Sequence, residues 1–528
     1  MIEVFFEAVG QLFTFPILLY ALLGTFIGLL FGALPGLGGA TAIALLIPIS
    51  FGWDSTEAFF LLASLTGGTS FGGAITAILV NTPGTSTNAA SLLDGYPMTR
   101  QGRSAEAIGV AGAASTLGSL VGVFILLALL PVSREFILAF SYPELFLISV
   151  VGLAMIALVT TGSMVKGLIA GLIGLFLSMI GRNPITGARR LEFDSVYLSD
   201  GLPLIPVLIG LFAMAESIRL LVTTRGAKPD FDATLDHGLS GRGWKRWNGL
   251  MAGIKPVLRS PRLIAQSGGI GTVTGIVPAV GGSVAGFIAY AAAKQSVKDP
   301  SGFGHGDNRG LMAVEASNDA KDGGAVLPTV MFGLPGSPAW AVLLGALLVH
   351  GVSPGRDMLT TRLDVTMVII VALLFSSIVS TLMGFAIAPW ATQIVKLPSR
   401  YLAPIIFILG LIGAAAARGR PQDVLLVTVA GIGGYLLKKN GFNLIPIVIG
   451  LVLGRTVEIT LNQTLLVHGA SGLYTRPISL GILIVGGAGI AWGVWRNVKL
   501  NTQERRQKEA ELQAPRGTGT SDEGEPDR

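Results

Sequence analysis

The sequence predicts an all-α, polytopic integral membrane protein made of two related halves, each carrying broken helices. Three observations carry that prediction. Of 528 residues, 51% are hydrophobic and 13% charged, about half the ~25% charged share of a soluble domain, and the mean hydropathy is +0.68. Apolar stretches long enough to cross a bilayer recur along most of the chain. Pro- and Gly-rich motifs interrupt apolar stretches in the first half and return in the same order in the second. This composition excludes a soluble enzyme, a disordered chain and a nucleic-acid binder.

The elements follow in order. Met1–Glu7 lacks the basic region of a signal peptide, and the first basic side chain is Arg100, so the first apolar stretch reads as a retained helix. Clear apolar stretches cover 12–34, 105–130, 136–159, 165–180 and 202–222, then 365–388, 401–417, 424–437, 442–453 and 479–494. They predict about ten full spans plus several segments cut short by Pro and Gly. Between the two sets, residues 225–262 hold Arg225, Lys228, Arg242, Lys245, Arg246, Lys255, Arg259 and Arg262. That excess places the linker in the cytoplasm by the positive-inside rule. The tail, with Arg496, Lys499, Arg505, Arg506 and Lys508, belongs on the same side, and its polar end reads as disordered. The expected organisation is a transmembrane half over 1–224, a basic linker over 225–262, a second half over 263–498 and a tail over 499–528.

The halves share motifs. Pro35-Gly-Leu-Gly-Gly39 matches Pro278-Ala-Val-Gly-Gly282, with the prolines 243 residues apart (278 − 35). Gly72-Gly73 followed by Pro83-Gly84-Thr85 matches Gly323-Gly324 followed by Pro335-Gly336-Ser337. Each Pro-Gly pair removes a backbone donor and permits positive φ, so it interrupts a helix. Such breaks at membrane depth must be buried in protein or line an aqueous cavity. Paired in two halves, they point to a transporter's binding site, where helix N-termini meet an anionic group. The same residues also suit a surface turn between two spans.

On the broken-helix reading, the candidate substrate groups are Pro35, Gly36, Gly38 and Gly39, then Asn81, Thr82, Pro83, Gly84, Thr85, Ser86 and Asn88. The second half contributes Gly281, Gly282, Ser283, Pro335, Gly336 and Ser337. The broken segments contain no arginine, so a bound carboxylate is expected to meet N–H groups, hydroxyls and amides. Glu315-Ala-Ser-Asn-Asp-Ala-Lys-Asp322 is the other charged constellation. Charge at depth costs ~3 kcal/mol or more per group. Glu315, Asn318 and Asp319 therefore read either as coupling-ion or gating residues or as a solvated helix end. The chain has no cysteine, and its four histidines, His237, His305, His350 and His468, share no metal-ligand spacing. No cofactor is expected, and no metal beyond a coupling cation.

Leu79-Val-Asn-Thr-Pro-Gly-Thr85, Leu93-Asp-Gly-Tyr-Pro-Met98, Glu315-Ala-Ser-Asn-Asp319 and Gly333-Leu-Pro-Gly-Ser-Pro338 together resemble the large membrane subunit of the tripartite tricarboxylate transporters, the TctA family. The resemblance covers about residues 8 to 498. It implies a bacterial inner-membrane carrier for di- or tricarboxylates, driven by Na⁺ or H⁺. It also implies two partners, a periplasmic solute-binding protein and a small membrane subunit, and, through a likeness to the large subunit of TRAP transporters, inverted repeats and an elevator-like movement. Asp319 stands where the family's Glu-Ala-Ala-Asn-Asn stretch ends in Asn, and Pro278-Ala-Val-Gly-Gly282 lacks one family glycine. The rival readings are a self-sufficient carrier for another solute and, more remotely, a membrane-embedded enzyme. The enzyme would need a Ser–His pair, an aspartate pair or a metal-binding acidic cluster.

Overall fold

The computed structural model describes residues 1–159, 163–223, 244–278, 281–395, 399–491 and 493–495. The first part runs through α1 (Ile2–Leu12), α2 (Ile17–Ala33), α3 (Gly38–Ser50), α4 (Ser55–Val80), a 3₁₀ turn (Ser86–Leu92), α5 (Gly95–Arg100), α6 (Ser104–Leu138), α7 (Tyr142–Val159) and α8 (Met164–Ser178). A two-residue hairpin pairs Gly181–Arg182 with Arg189–Arg190. Then α9 (Leu204–Leu208) passes through a π-helical turn (Ile209–Met214) into α10 (Ala215–Thr223). The second part comprises α11 (Trp244–Leu258), α12 (Pro261–Ile276), α13 (Gly281–Ser296), α14 (Asn308–Phe332), α15 (Pro338–Val349), α16 (Leu363–Val395), α17 (Ser399–Arg418), α18 (Pro421–Lys439), α19 (Ile445–Val467) and α20 (Gly472–Thr475). A final apolar helix covers Pro477–Trp495.

By length and composition, seven described helices can cross a membrane, or up to eight if α1 and α2 form one bent span. The expected span over 12–34 corresponds to α2 and starts later, at Ile17: the chain turns by 83° between α1 and α2, next to Pro16, which has no N–H to continue a helix. The stretch 136–159 also divides, because α6 runs on to Leu138 and α7 starts at Tyr142. Residues 244–258, counted within the basic linker, form α11, which packs on α6 with Leu250 and Val257 buried. Residues 225–243 of that linker and the tail from Arg496 lie outside the described residues.

The lipid-facing surface is written as helical stripes of exposed apolar side chains. Leu168, Leu172 and Phe176 mark one on α8, Ile405, Ile408 and Ile412 one on α17, and Leu425, Val429, Ile432 and Leu436 one on α18. Their three-to-four-residue spacing puts each set on a single helix face. Inside, α4 and α14 are enclosed on all sides: every residue from Ala58 to Val80 and from Gly310 to Met331 is buried. Each of these helices starts on an aspartate cap, Asp54 accepting from the N–H of Thr56 at 2.8 Å and Asp307 from that of Arg309 at 2.9 Å. Each ends on a left-handed residue, Asn81 at φ 54° and Gly333 at φ 66°.

Glycines set how closely the inner helices approach. Gly24, Gly28 and Gly32 of α2 lie against the backbone carbonyls of Leu61, Leu65 and Thr69 on α4. Gly271 and Gly275 of α12 lie against those of Ser317 and Lys321 on α14. In both pairs a Cβ would collide with backbone, the small-residue contact by which membrane helices pack most tightly. The long helices then cross between parts: α6 packs on α14 and α16 on α4, while α11 packs on α6 and α1 on α16. At the centre, Ser70 Oγ of α4 donates to Asp322 Oδ2 of α14 at 3.0 Å, the two residues standing 252 apart in sequence.

Candidate functional site: a charged cavity between the broken loops

A cavity of about 510 Å³ opens where these elements meet. One wall is the α2–α3 loop and the start of α3, residues 36–41, backed by Thr66, Thr69 and Ser70 of α4. The loop after α4 contributes Gly84 to Thr87, and the start of α15 contributes Ser337, Pro338 and Ala339. Lys321 and Asp322 of α14 form the floor. Phe212 of the π-helical turn, Glu216 of α10, Lys438 of α18 and residues 441–445 complete the lining.

The electrostatics of this lining suit an anion. Helices α3 and α15 both begin in it, and a helix N-terminus presents N–H groups without intrahelical partners. Helix α15 offers fewer of them, since Pro338 has no N–H and Ala341 N–H donates to Ser337 O at 2.9 Å. Ser337 caps α15, its hydroxyl accepting from the N–H of Trp340 at 3.4 Å. The Lys321 ammonium, with the side chain about 95% buried, lies 3.0 Å from Asp322 Oδ2. Asp322 also accepts from Ser70 Oγ and, at 3.1 Å, from Trp340 Nε1. In the same lining Lys438 Nζ lies 3.1 Å from Glu216 Oε2, and Arg219 holds the other oxygen of Glu216.

A model of the tripartite tricarboxylate transporter TctA family matches residues 18–449. The chain belongs to the TctA family. An "Uncharacterized 52.8 kDa protein in TAR-I ttuC' 3'region" of Agrobacterium vitis is 30% identical over 471 residues, 89% of this chain and 91% of its own. An "Uncharacterized protein in TAR-II ttuC' 3'region" of the same organism is 29% identical over 218 residues, 41% of this chain and 90% of its own. Among solved structures, the Eremococcus coleocola manganese transporter aligns over 92% of this chain and 97% of its own, at 14% identity and a TM-score of 0.11; that score carries no argument about fold. Membership makes this chain a transporter component of the membrane that works with partner subunits.

In this TctA chain, seven of the residues singled out from sequence line the cavity: Gly36, Gly38, Gly39, Gly84, Thr85, Ser86 and Ser337. Pro35, Asn81, Thr82, Pro83, Asn88, Pro335 and Gly336 do not. Asn88 sits behind the loop, donating to Ser70 O at 3.0 Å and accepting from Thr85 Oγ1 at 2.6 Å, and so pins that loop to α4. Residues Gly281 to Ser283 begin α13, and their side-chain surroundings lie outside the described residues.

Two expectations are corrected. Gly84 and Gly336 do not use positive φ; the left-handed residues are Asn81 and Gly333, three positions earlier. Packing constrains them instead: a Cβ on Gly84 would reach Gly73 Cα at 2.7 Å, too close for the backbone as it stands, and one on Gly336 would fit tightly against Ala325 Cβ at 3.0 Å and Gly275 O at 3.2 Å. The site also contains two cations, the buried Lys321 and the partly exposed Lys438, which come from α14 and α18, outside the Pro-Gly segments.

Glu315, Asn318 and Asp319 lie six, three and two residues before Lys321 on α14, outside the cavity lining. Glu315 accepts from Ser91 Oγ of the 3₁₀ turn, and Asp319 accepts from Ser377 Oγ of α16 at 3.0 Å. Glu315 Oε2, Asp319 Oδ1 and both amide atoms of Asn318 have no hydrogen-bond partner among the described residues. The helix-end alternative fails for all three, because each is at most 5% exposed.

Proposed function

We propose that the chain is the large permease subunit of a tripartite secondary transporter in the bacterial inner membrane. It imports a small di- or tricarboxylate that a periplasmic solute-binding protein delivers, with a small membrane subunit completing the assembly. The observation that carries this reading is Lys321, a buried ammonium facing a cavity that the loops of both halves enclose. Lys321 already has Asp322 as its counter-ion, and an ammonium with three donors can keep that acid and still bond a carboxylate oxygen presented beside the helix N-termini.

The same reading takes the two halves as inverted repeats that move as an elevator. It is supported by the correspondence of α2 on α4 with α12 on α14, by the left-handed ends at Asn81 and Gly333, and by the Ser70–Asp322 contact between positions 252 apart. Coupling to Na⁺ or H⁺ is assigned to Glu315, Asn318 and Asp319, whose unpartnered polar atoms lie behind the cavity on the same helix.

Uptake of labelled citrate and succinate into proteoliposomes tests the proposal, using both partner proteins and imposed Na⁺ or pH gradients. Gradient-driven uptake that needs the binding protein supports it. Uptake of neither acid under any gradient overturns the carboxylate reading, and full uptake without the partners favours the self-sufficient carrier.

A further inference from the structure

Building on that carboxylate reading, we propose that the cavity holds two carboxylate sockets, one at Lys321 and one at Lys438, so that it selects a substrate with two carboxylates. The two pairs are built alike. Each lysine lines the cavity and is paired with one acid, Lys321 with Asp322 at 3.0 Å and Lys438 with Glu216 at 3.1 Å. In each pair the acid has a second anchor that does not involve the lysine. Asp322 is held by Ser70 and Trp340, and Glu216 by Arg219.

This arrangement lets a lysine turn towards a ligand without orphaning its buried acid, which would otherwise cost several kcal/mol. An ammonium has three donors, so each lysine can also keep its acid and still bond a ligand oxygen. The internal acids compete with the substrate, and only a ligand with two carboxylates gives each cation one of its own. A monocarboxylate fills one socket and leaves the other closed on its acid. The cavity volume of about 510 Å³ falls within the ~300–1,000 Å³ typical of small-molecule sites, enough for a small organic acid.

The test is equilibrium binding to the purified full chain, with succinate, glutarate and citrate as probes and butyrate as the monocarboxylate. The variants are Lys438→Gln, at a partly exposed position, and Lys321→Met combined with Asp322→Asn, which removes both charges of the buried pair together. Lys298→Gln, on an exposed surface position, is the control. The wild type is expected to prefer a dicarboxylate over butyrate. Each socket variant is expected to lose about tenfold or more in dicarboxylate affinity and to bring the preference over butyrate close to one. Lys438→Arg is expected to restore the preference.

A wild type that binds dicarboxylates while Lys438→Gln keeps its affinity and preference overturns the two-socket proposal and leaves the carboxylate reading standing. A wild type that binds none of the four acids overturns both.

Discussion

At the residue scale, the cavity depends on side chains whose roles differ from what their motifs suggest. Asn88 belongs to a family-like run of small polar residues, yet it is fully buried and acts as a peg between the Thr85 loop and α4. Replacing it with Ala removes the bonds that tie the loop to α4 and leaves a gap at a fully buried position, at a cost of ~1–3 kcal/mol. We expect Asn88→Ala to lower the melting temperature in detergent and to weaken carboxylate binding together; a change in neither would remove the peg. Glu315 is tested in transport. Glu315→Gln keeps the size and the Ser91 contact but removes a buried ionisable carboxyl, so uptake is expected to lose its cation dependence while expression persists. Unchanged cation dependence would take Glu315 out of the coupling pathway. The glycines were legible as necessary, but the reason was not: sequence shows that Gly84 follows a proline, whereas the backbone that crowds it comes from other helices.

At the element scale, the legible helices are those that face lipid, because hydropathy reports the solvent around a helix rather than the helix itself. The stretches over 401–417 and 424–437 were found for that reason, and α17 and α18 carry exposed apolar stripes. α14 is as long as a span but holds Glu315, Asp319, Lys321 and Asp322; it is shielded by protein and so carries no apolar signature. α4 was passed over because Gly, Ser and Thr dilute its hydropathy, and those small residues are what let α2 and α16 close on it. A sharp test follows from the α2–α4 contact. Gly28→Val drives a branched side chain into the Leu65 backbone and is expected to cost about 1–3 kcal/mol or more. Gly10→Ala, where a Cβ meets nothing within 4 Å, is expected to be neutral. Equal melting temperatures for the two variants would contradict the close packing.

At the scale of the whole molecule, the broad class and the pairing of motifs were readable, since composition and repeated spacing survive without any knowledge of contacts. The charged lining was not. Glu216 and Lys438 come from helices more than 200 residues apart, and only the fold brings them to 3.1 Å. Orientation remains a prediction of the basic residues in 225–262 and after Arg496: reporter fusions at both places are expected to lie in the cytoplasm, and a periplasmic signal at either would reverse the assignment.

The central claim, that loops from both halves enclose one carboxylate site, has a direct test in the absence of cysteine from the chain. Ser86→Cys and Ala339→Cys each place a lone thiol in the cavity lining, one from each half, and Ser301→Cys places one at an exposed position. The rate of maleimide labelling is measured on purified protein with and without citrate or succinate. The account predicts saturable protection at both Ser86→Cys and Ala339→Cys by the same acid and with the same half-protecting concentration, and none at Ser301→Cys. Labelling of both cavity thiols at rates that neither acid alters would contradict it.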